Sequence, residues 1–360
     1  MKYNISDSQG KFAYLQIYEQ IKKDIVSGAL KFGSKLPSKR LMCEETGVSV
    51  ITIEHAYSIL CDEGYVESKE RSGYFVIYKE SDFLSTFETH AEPEIIKPNR
   101  KKAECDFPVS VLQKAVRKVL SDKESEILKR SPNQGLEELR GAIAKYLYRS
   151  NGMVVTPEQI VIGAGAEYLY SLILQLLGKD RIFALENPSY DKIRKVYSAN
   201  NVKTDMLTLG KNGIKTSELN RTAASVLHIT PFNSFPSEIT ASVSKRQEYL
   251  RWAEKHNGFI VEDNYAAELT VSKKNEDTVF SLSENGRVIY LNTFSETIAP
   301  SMRIGYMVLP ENLLKDFTEK LGFYSCTVPV LDQYVLCELI ESGSFERHIN
   351  RVRRAKRKLK

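Results

Sequence analysis

Apolar positions along the first eighty residues change period twice. Leu15, Ile17, Tyr18, Ile21, Ile25 and Val26 recur at helical spacing, and Gly28 closes the run. A loop is expected from Lys31 to Pro37. Ser38 follows, where a hydroxyl accepts from a free N–H of the next turn, so a short helix to about Thr46 is predicted. Gly47 breaks it, Ser49 caps a third helix over about Val50 to Glu63, and Gly64 ends that one. Tyr65–Glu67 and Tyr74–Ile77 then read as strands around the polar turn Lys69–Gly73.

Beyond residue 78 the pattern lapses. Residues 79–104 hold Pro93, Pro98, many charges and little periodicity, and read as a linker. From about Cys105 onward, strand-like runs alternate with helical stretches. The strands expected are Ile160–Ile162, Arg181–Leu185, Ser225–Ile229, Gly258–Val261, Arg287–Leu291 and Ile304–Val308. Leu136–Arg149, Tyr168–Leu177 and Ser244–His256 lie among them as helices. That alternation argues an α/β domain with a mainly parallel sheet.

The first segment, residues 1–78, has the outline of a winged helix-turn-helix, an α+β unit. A helix entering the major groove needs small polar residues at its start, and Ser49 and Thr52 supply them. Lys35, Ser38, Lys39 and Arg40 gather near the start of the second helix, where free N–H groups favour phosphate. Lys69 and Arg71 sit in the wing, within reach of a neighbouring groove or backbone. Residues 1–80 carry eleven Lys/Arg and eleven Asp/Glu, so affinity for DNA from net charge alone is expected to be modest. A small helical protein-binding module with solvated charges is the other reading of the same pattern.

Composition narrows the class without naming a function. With 42% hydrophobic and 27% charged residues in 360, the chain is globular and long enough for two or three domains. No apolar run reaches the length of a membrane span, and the N-terminus has no apolar signal core, so a cytoplasmic location is expected. Five scattered cysteines with no C-x-x-C pair argue against zinc and a disulfide framework. The net charge of +5 comes from eight Lys/Arg between Arg347 and Lys360; the remainder is −3. That tail reads as the exposed face of a helix or as an accessory phosphate-binding arm.

Three stretches in the second region fall at expected strand ends, where α/β sheets place ligands. Gly163-Ala164-Gly165-Ala166 precedes a helix and leaves backbone N–H groups open to a phosphate. In Glu262-Asp263-Asn264-Tyr265, a carboxylate is placed to bond a protonated ring nitrogen, and a tyrosine to donate to a ring oxygen. In "NTFSETIAPSMRIGY", Ser295 and Arg303 form a plausible phosphate pair. Each also has a plain reading, as a turn, a helix cap or a surface arginine.

The run "SGALKFGSKLPSKRLMCEETGVSVITIEHAYSILCDEGYVES…RSGYFV" resembles the GntR-type winged-helix domain. That resemblance implies a bacterial transcription factor that binds operator DNA as a dimer. Many members carry an arginine just after the serine that opens the recognition helix; here that position is Val50. The stretches "PNQGLEELRGAIAKYL", "VIGAGAEYLY", "ENPSY", "ITPFNSFPSEITASVSKRQEYLRWA", "VEDNY" and "NTFSETIAPSMRIGYMVLP" resemble a fold type I aminotransferase domain. The two-domain order resembles the MocR subgroup of GntR regulators. By that similarity Ala164, Gly165, Ser295 and Arg303 surround the phosphate of pyridoxal phosphate. Tyr190 lies near the ring, Asp263 faces the pyridine nitrogen and Tyr265 the ring hydroxyl.

Departures from the family pattern bear on function. The family reads Ser-Lys-Thr where this chain reads Ser295-Glu296-Thr297, and a carboxylate cannot form an imine. Glu296 is expected to pair with Arg303 instead. Glu238 stands where the family usually has glycine, and is expected to crowd the pocket or alter the turn. The family's C-terminal subdomain would continue past "ERHINRVRRAKRKLK", so over 105–360 it reads as incomplete. These features imply a DNA-binding regulator with a degenerate aminotransferase-like domain that dimerises and senses an effector such as pyridoxal phosphate or an amino acid. The alternatives are an aminotransferase fused to a DNA-binding domain, a noncovalent pyridoxal phosphate sensor, and a ligand-free dimerisation scaffold.

Overall fold

The computed structural model describes residues 3, 5, 12–69, 72–78, 107–265, 267–269 and 277–359, in two compact units divided at 98/99. The linker expected over 79–104 and the wing residue Arg71 lie outside the described residues.

The first unit runs α1 (Ala13–Val26), α2 (Lys39–Thr46), α3 (Val50–Asp62), β1 (Val66–Lys69) and β2 (Gly73–Val76). Ile17, Ile21 and Ile25 of α1 close on Met42 of α2 and on Ile53, Tyr57 and Leu60 of α3, all buried. Both serine caps form as expected. Ser38 Oγ accepts from the Leu41 N–H at 3.2 Å, and Ser49 Oγ from the Thr52 N–H at 3.3 Å. Gly47 ends α2 in the left-handed conformation, φ +73°, which other residues adopt only with strain. The segment expected as a plain loop does more. The N–H groups of Gly33 and Leu36 donate to Val76 and Tyr74, and that of Val76 to Ser34. Residues 33–36 thus cover the open edge of β2, which would otherwise leave its backbone groups unpaired.

The second unit contains α4 (Val109–Asp122), α5 (Glu137–Asn151), β3 (Ile160–Gly163), α6 (Ala166–Leu177), β4 (Phe183–Asn187) and α7 (Asp191–Ala199). Next come β5 (Thr204–Gly210), β6 (Gly213–Ile214), α8 (Thr216–Arg221), β7 (Val226–Ile229), α9 (Val243–Lys255) and β8 (Phe259–Asp263). It closes with β9 (Val288–Thr293), β10 (Gly305–Val308), α10 (Leu314–Leu321), α11 (Val330–Glu341) and α12 (Ser344–Leu359). One sheet of eight strands runs in the order β3-β10-β9-β8-β7-β4-β5-β6. The pairs from β9 through β8, β7 and β4 to β5 are parallel. β10 lies antiparallel between β3 and β9, and β6 is an antiparallel edge.

The central strands β7 and β9 are buried on both faces, which is why they read as continuous apolar runs. β5 was not expected from the sequence; only alternate residues, Leu207 and Leu209, turn inward, so its apolar signal is weak. In α12, Phe345, Ile349 and Val352 are buried at i, i+4, i+7 while Arg347, Arg351 and Arg354 are exposed. Among the described residues no helix is long and apolar enough to cross a membrane.

Candidate functional site

On the first unit, the residues expected to meet DNA divide by how they are already engaged. Lys39 Nζ pairs with Glu54 at 2.5 Å, and Lys69 Nζ with Glu67 at 2.8 Å. Ser49 and Thr52 share a hydroxyl hydrogen bond of 2.9 Å on top of the cap, so both are held rather than free. Lys35 and Arg40 are exposed and form no ion pair among the described residues. The outward start of α3 is apolar: Val50 is 47% and Ile51 77% exposed. Ile51 was missed by the sequence reading, because an apolar residue at a helix start usually turns inward.

In the second unit, the parallel strands β4, β7, β8 and β9 end at a cavity of about 480 Å³. It is walled by Glu167 and Tyr170 of α6, Tyr190, Lys192, Thr230, Phe235, Asp263, Tyr265, Ser295, Glu296 and Arg303, among others. Asp263 is the inner anchor. It ends β8, is 2% exposed, and its Oδ2 accepts from the Tyr170 hydroxyl. His228 Nε2 lies 3.7 Å from the same oxygen, and its Nδ1 is bonded to the Tyr197 hydroxyl at 2.6 Å. Burial foremost, then Asp263, pushes the Tyr170 phenol well up, so it stays protonated and keeps donating. Among the described residues Asp263 Oδ1 is buried with no hydrogen-bond partner, an acceptor that desolvation makes costly to leave unmet.

The opposite wall is arranged differently. The Glu167 carboxylate takes the Arg303 guanidinium at 2.7 Å and Lys192 Nζ at 3.4 Å. It also bonds its own backbone N–H in the first turn of α6; these contacts outweigh burial and hold it below the usual carboxylate range. Arg303 lies directly over Gly165, where a Cβ would come within 2.6 Å of Nη2; that residue is also left-handed, φ +89°. The left-handed backbone favours glycine there, and a Cβ would also push the guanidinium aside. Arg303 pairs with Glu167 and not, as expected, with Glu296: the helix start fixes Glu167 beside it. Glu296 is exposed at the cavity wall and has no ion pair or hydrogen bond among the described residues.

Other expectations resolve in detail. Ala164 turns away from this cavity; its N–H donates to Thr327 Oγ1 at 3.0 Å and it lines a neighbouring groove. Ser295 Oγ donates to the Met302 carbonyl at 3.4 Å. The Tyr265 hydroxyl donates to the Asn233 carbonyl at 3.3 Å, leaving its oxygen as an acceptor. Tyr190 meets Phe235 edge to face, centroids 6.2 Å apart. Glu238 is exposed and does not line the cavity. It takes a left-handed turn, φ +56°, which accounts for a preference for glycine at that position. Two more acids are buried nearby, Glu186 and Glu262, pushed up to about 8 and about 7, chiefly by desolvation. Glu167, Tyr170, Lys192 and Phe235 were missed. Glu167 lies within "VIGAGAEYLY", but its partner Arg303 is 136 residues away.

The family model of bacterial regulatory proteins of the gntR family matches residues 13–76, and that of aminotransferase class I and II matches 102–356. The chain belongs to the MocR-type GntR regulators. It is 33% identical over 96% of its length to the HTH-type transcriptional regulator YdeL of Bacillus subtilis, covering 77% of that protein. It is 27% identical over 94% of its length to the pyridoxine biosynthesis transcriptional regulator PdxR of Corynebacterium glutamicum, covering 75% of it. The probable rhizopine catabolism regulatory protein MocR of Rhizobium meliloti is 26% identical, with 94% and 74% covered.

Among solved structures, the regulator's second domain is similar to the kynurenine aminotransferase of Pyrococcus horikoshii. The TM-score is 0.63 and the identity 25%, over 69% of this chain and 64% of that one. An archaeal alanine:glyoxylate aminotransferase gives a TM-score of 0.62 at 24% identity, over 67% of this chain and 62% of that one. The regulator thus spans under two thirds of those aminotransferase chains.

Pyridoxal phosphate, the group this fold implies, needs an acceptor for its ring nitrogen, an anion cup and a lysine amine. The regulator meets the first with Asp263 Oδ1. The cup at α6 already holds the Glu167 carboxylate, and position 296 is an acid. Lys192 does line the cavity, but it lies in α7, exposed and paired with Glu167, and not at the position of the family's lysine. The residues present do not fit the tethered cofactor.

Proposed function

We propose that this MocR-type regulator binds operator DNA as a homodimer, and that its aminotransferase-like domain transfers no amino group but serves dimerisation and effector binding. Arg40 and Lys35 contact backbone phosphate, Lys39 and Lys69 hold the second helix and the wing in place, and the start of α3 faces the bases. Two-fold symmetry matches repeated half-sites. What carries the non-catalytic reading is the pair of acids in the cavity: Glu296 where an amine is needed, and Glu167 seated on Arg303.

A gel shift on the region upstream of the regulator's own gene tests the first part. A discrete complex of two copies is expected, weakened by Arg40→Ala; an unchanged shift overturns the assigned DNA face. For the second part, full-length protein is incubated with glutamate, a 2-oxo acid and pyridoxal phosphate, then reduced with borohydride and mapped by peptide mass. No amino transfer above the protein-free rate and no modified lysine are expected. Brisk transfer, or a modified Lys192, overturns it.

A further inference from the structure

The cavity's charges are unevenly used. Three carboxylates line it, Glu167, Asp263 and Glu296, against two cations, Lys192 and Arg303. Both cations sit on Glu167. Asp263 has one buried oxygen without a partner, and Glu296 has neither hydrogen bond nor ion pair among the described residues. What remains for a ligand is therefore two acids, one at the cavity floor and one on the wall, with Tyr190 and Phe235 as aromatic walls. A dianion entering here meets Glu167 in the cup and Glu296 beside it, and like charges at short range repel. With three acids against two bases in its lining the cavity keeps a negative balance, which favours a cation over a dianion, and a flat cation can stack on an aromatic wall.

We propose that this cavity is a site for a protonated nitrogen heterocycle bearing an ammonium substituent and no phosphate. The ring N–H donates to Asp263 Oδ1, satisfying the orphaned acceptor. The ammonium pairs with Glu296. Glu167, locked by Arg303, Lys192 and its own N–H, acts as an internal anion in the cup and excludes phosphorylated rings. The assignment rests on the effector-binding reading of this domain and supplies that effector's chemical class.

Calorimetry on the full-length protein at neutral pH tests it, with three ring compounds that differ only at the relevant groups. Pyridoxamine carries the ammonium, pyridoxine has a hydroxyl in its place, and pyridoxamine 5′-phosphate keeps the ammonium and adds the dianion. Pyridoxamine is expected to bind about tenfold more tightly than pyridoxine, as suits one charge-assisted hydrogen bond. It should also outbind pyridoxamine 5′-phosphate. Glu296→Gln removes the advantage of pyridoxamine over pyridoxine, and Glu167→Gln raises the affinity for pyridoxamine 5′-phosphate. Asp263→Asn weakens all three; because that residue is buried, the Glu296 and Glu167 variants decide the matter if it fails to fold. Pyridoxamine 5′-phosphate binding at least as tightly as pyridoxamine, an unchanged preference in Glu296→Gln, or no binding of any ring overturns the proposal. A gel shift on the same preparations separates the two readings. Intact DNA binding with no ring bound sinks only the ligand assignment, and ring binding without DNA binding sinks only the regulator's DNA role.

Discussion

The two units of this regulator treat charge in opposite ways. In the winged-helix unit the ionised groups lie outside and cancel in pairs: Lys22 with Glu63, Lys39 with Glu54, Lys69 with Glu67. Among the described residues Arg40 and Lys35 form no ion pair, and the exposed start of α3 is apolar. In the second unit the telling groups lie inside: Asp263, His228, Glu186 and Glu262 are all nearly or fully buried. Water screens an exposed charge, so pairing it changes stability little and an unpaired one stays available to a partner. A buried polar atom has no such refuge, so one left unpaired, as Asp263 Oδ1 is, points to a missing partner. Function is thus sought in the unpaired surface groups of one unit and in the unsatisfied interior of the other.

The sharpest way to break that contrast is at the winged-helix core. Leu60 is fully buried between α1 and α3. Leu60→Ala is expected to lose about 2–5 kcal/mol on chemical denaturation, and DNA binding with it. A loss below about 1 kcal/mol would mean that this small core repacks freely.

The interior acids predict an unusual pH response. Glu186 and Glu262 hold their protons more tightly folded than unfolded, because burial raises them to about 8 and about 7. Their contribution is fully favourable only below the ordinary carboxylate range. It is lost as pH rises from there through about 7 to 8, by up to about 1.4 kcal/mol per pH unit for each group. Melting of the second unit should therefore shift down between pH 5.5 and 8.5, and Glu186→Gln should flatten the slope. A melting point that climbs over the same interval contradicts the burial argument.

Two smaller effects sharpen the surface side. Ser38→Ala removes the cap of α2 and should cost about 1 kcal/mol of first-unit stability in denaturant. Ile51→Ala should change stability by less than about 0.5 kcal/mol, since the side chain is mostly in water. If Ile51 lies against a thymine methyl, the same change weakens operator binding in a gel shift. Equal losses in both assays would place Ile51 in the fold rather than in recognition.

Local rules carried the sequence reading a long way in the first unit. Both serine caps, the glycine stop at Gly47 and the hairpin depend on residues within a few positions of each other. The same holds for the buried central strands and for Asp263 at the end of β8. The reading faltered where the deciding partner is remote. Nothing near residues 33–36 announces that they will pair with β2, and β5 buries too few side chains to show as a strand. The antiparallel setting of β10 between β3 and β9 follows from chain topology, not from its four residues.

The amino-acid sequence alone determined the class of each unit, its helix ends and the acid at position 296, because these follow from residue identity and short-range hydrogen bonding. Only the tertiary structure decided that Arg303 belongs to Glu167, that Lys192 reaches the cavity, and that one oxygen of Asp263 is left waiting. Ion pairs form between whichever opposite charges the fold brings within a few ångströms, and separation along the chain does not constrain that choice.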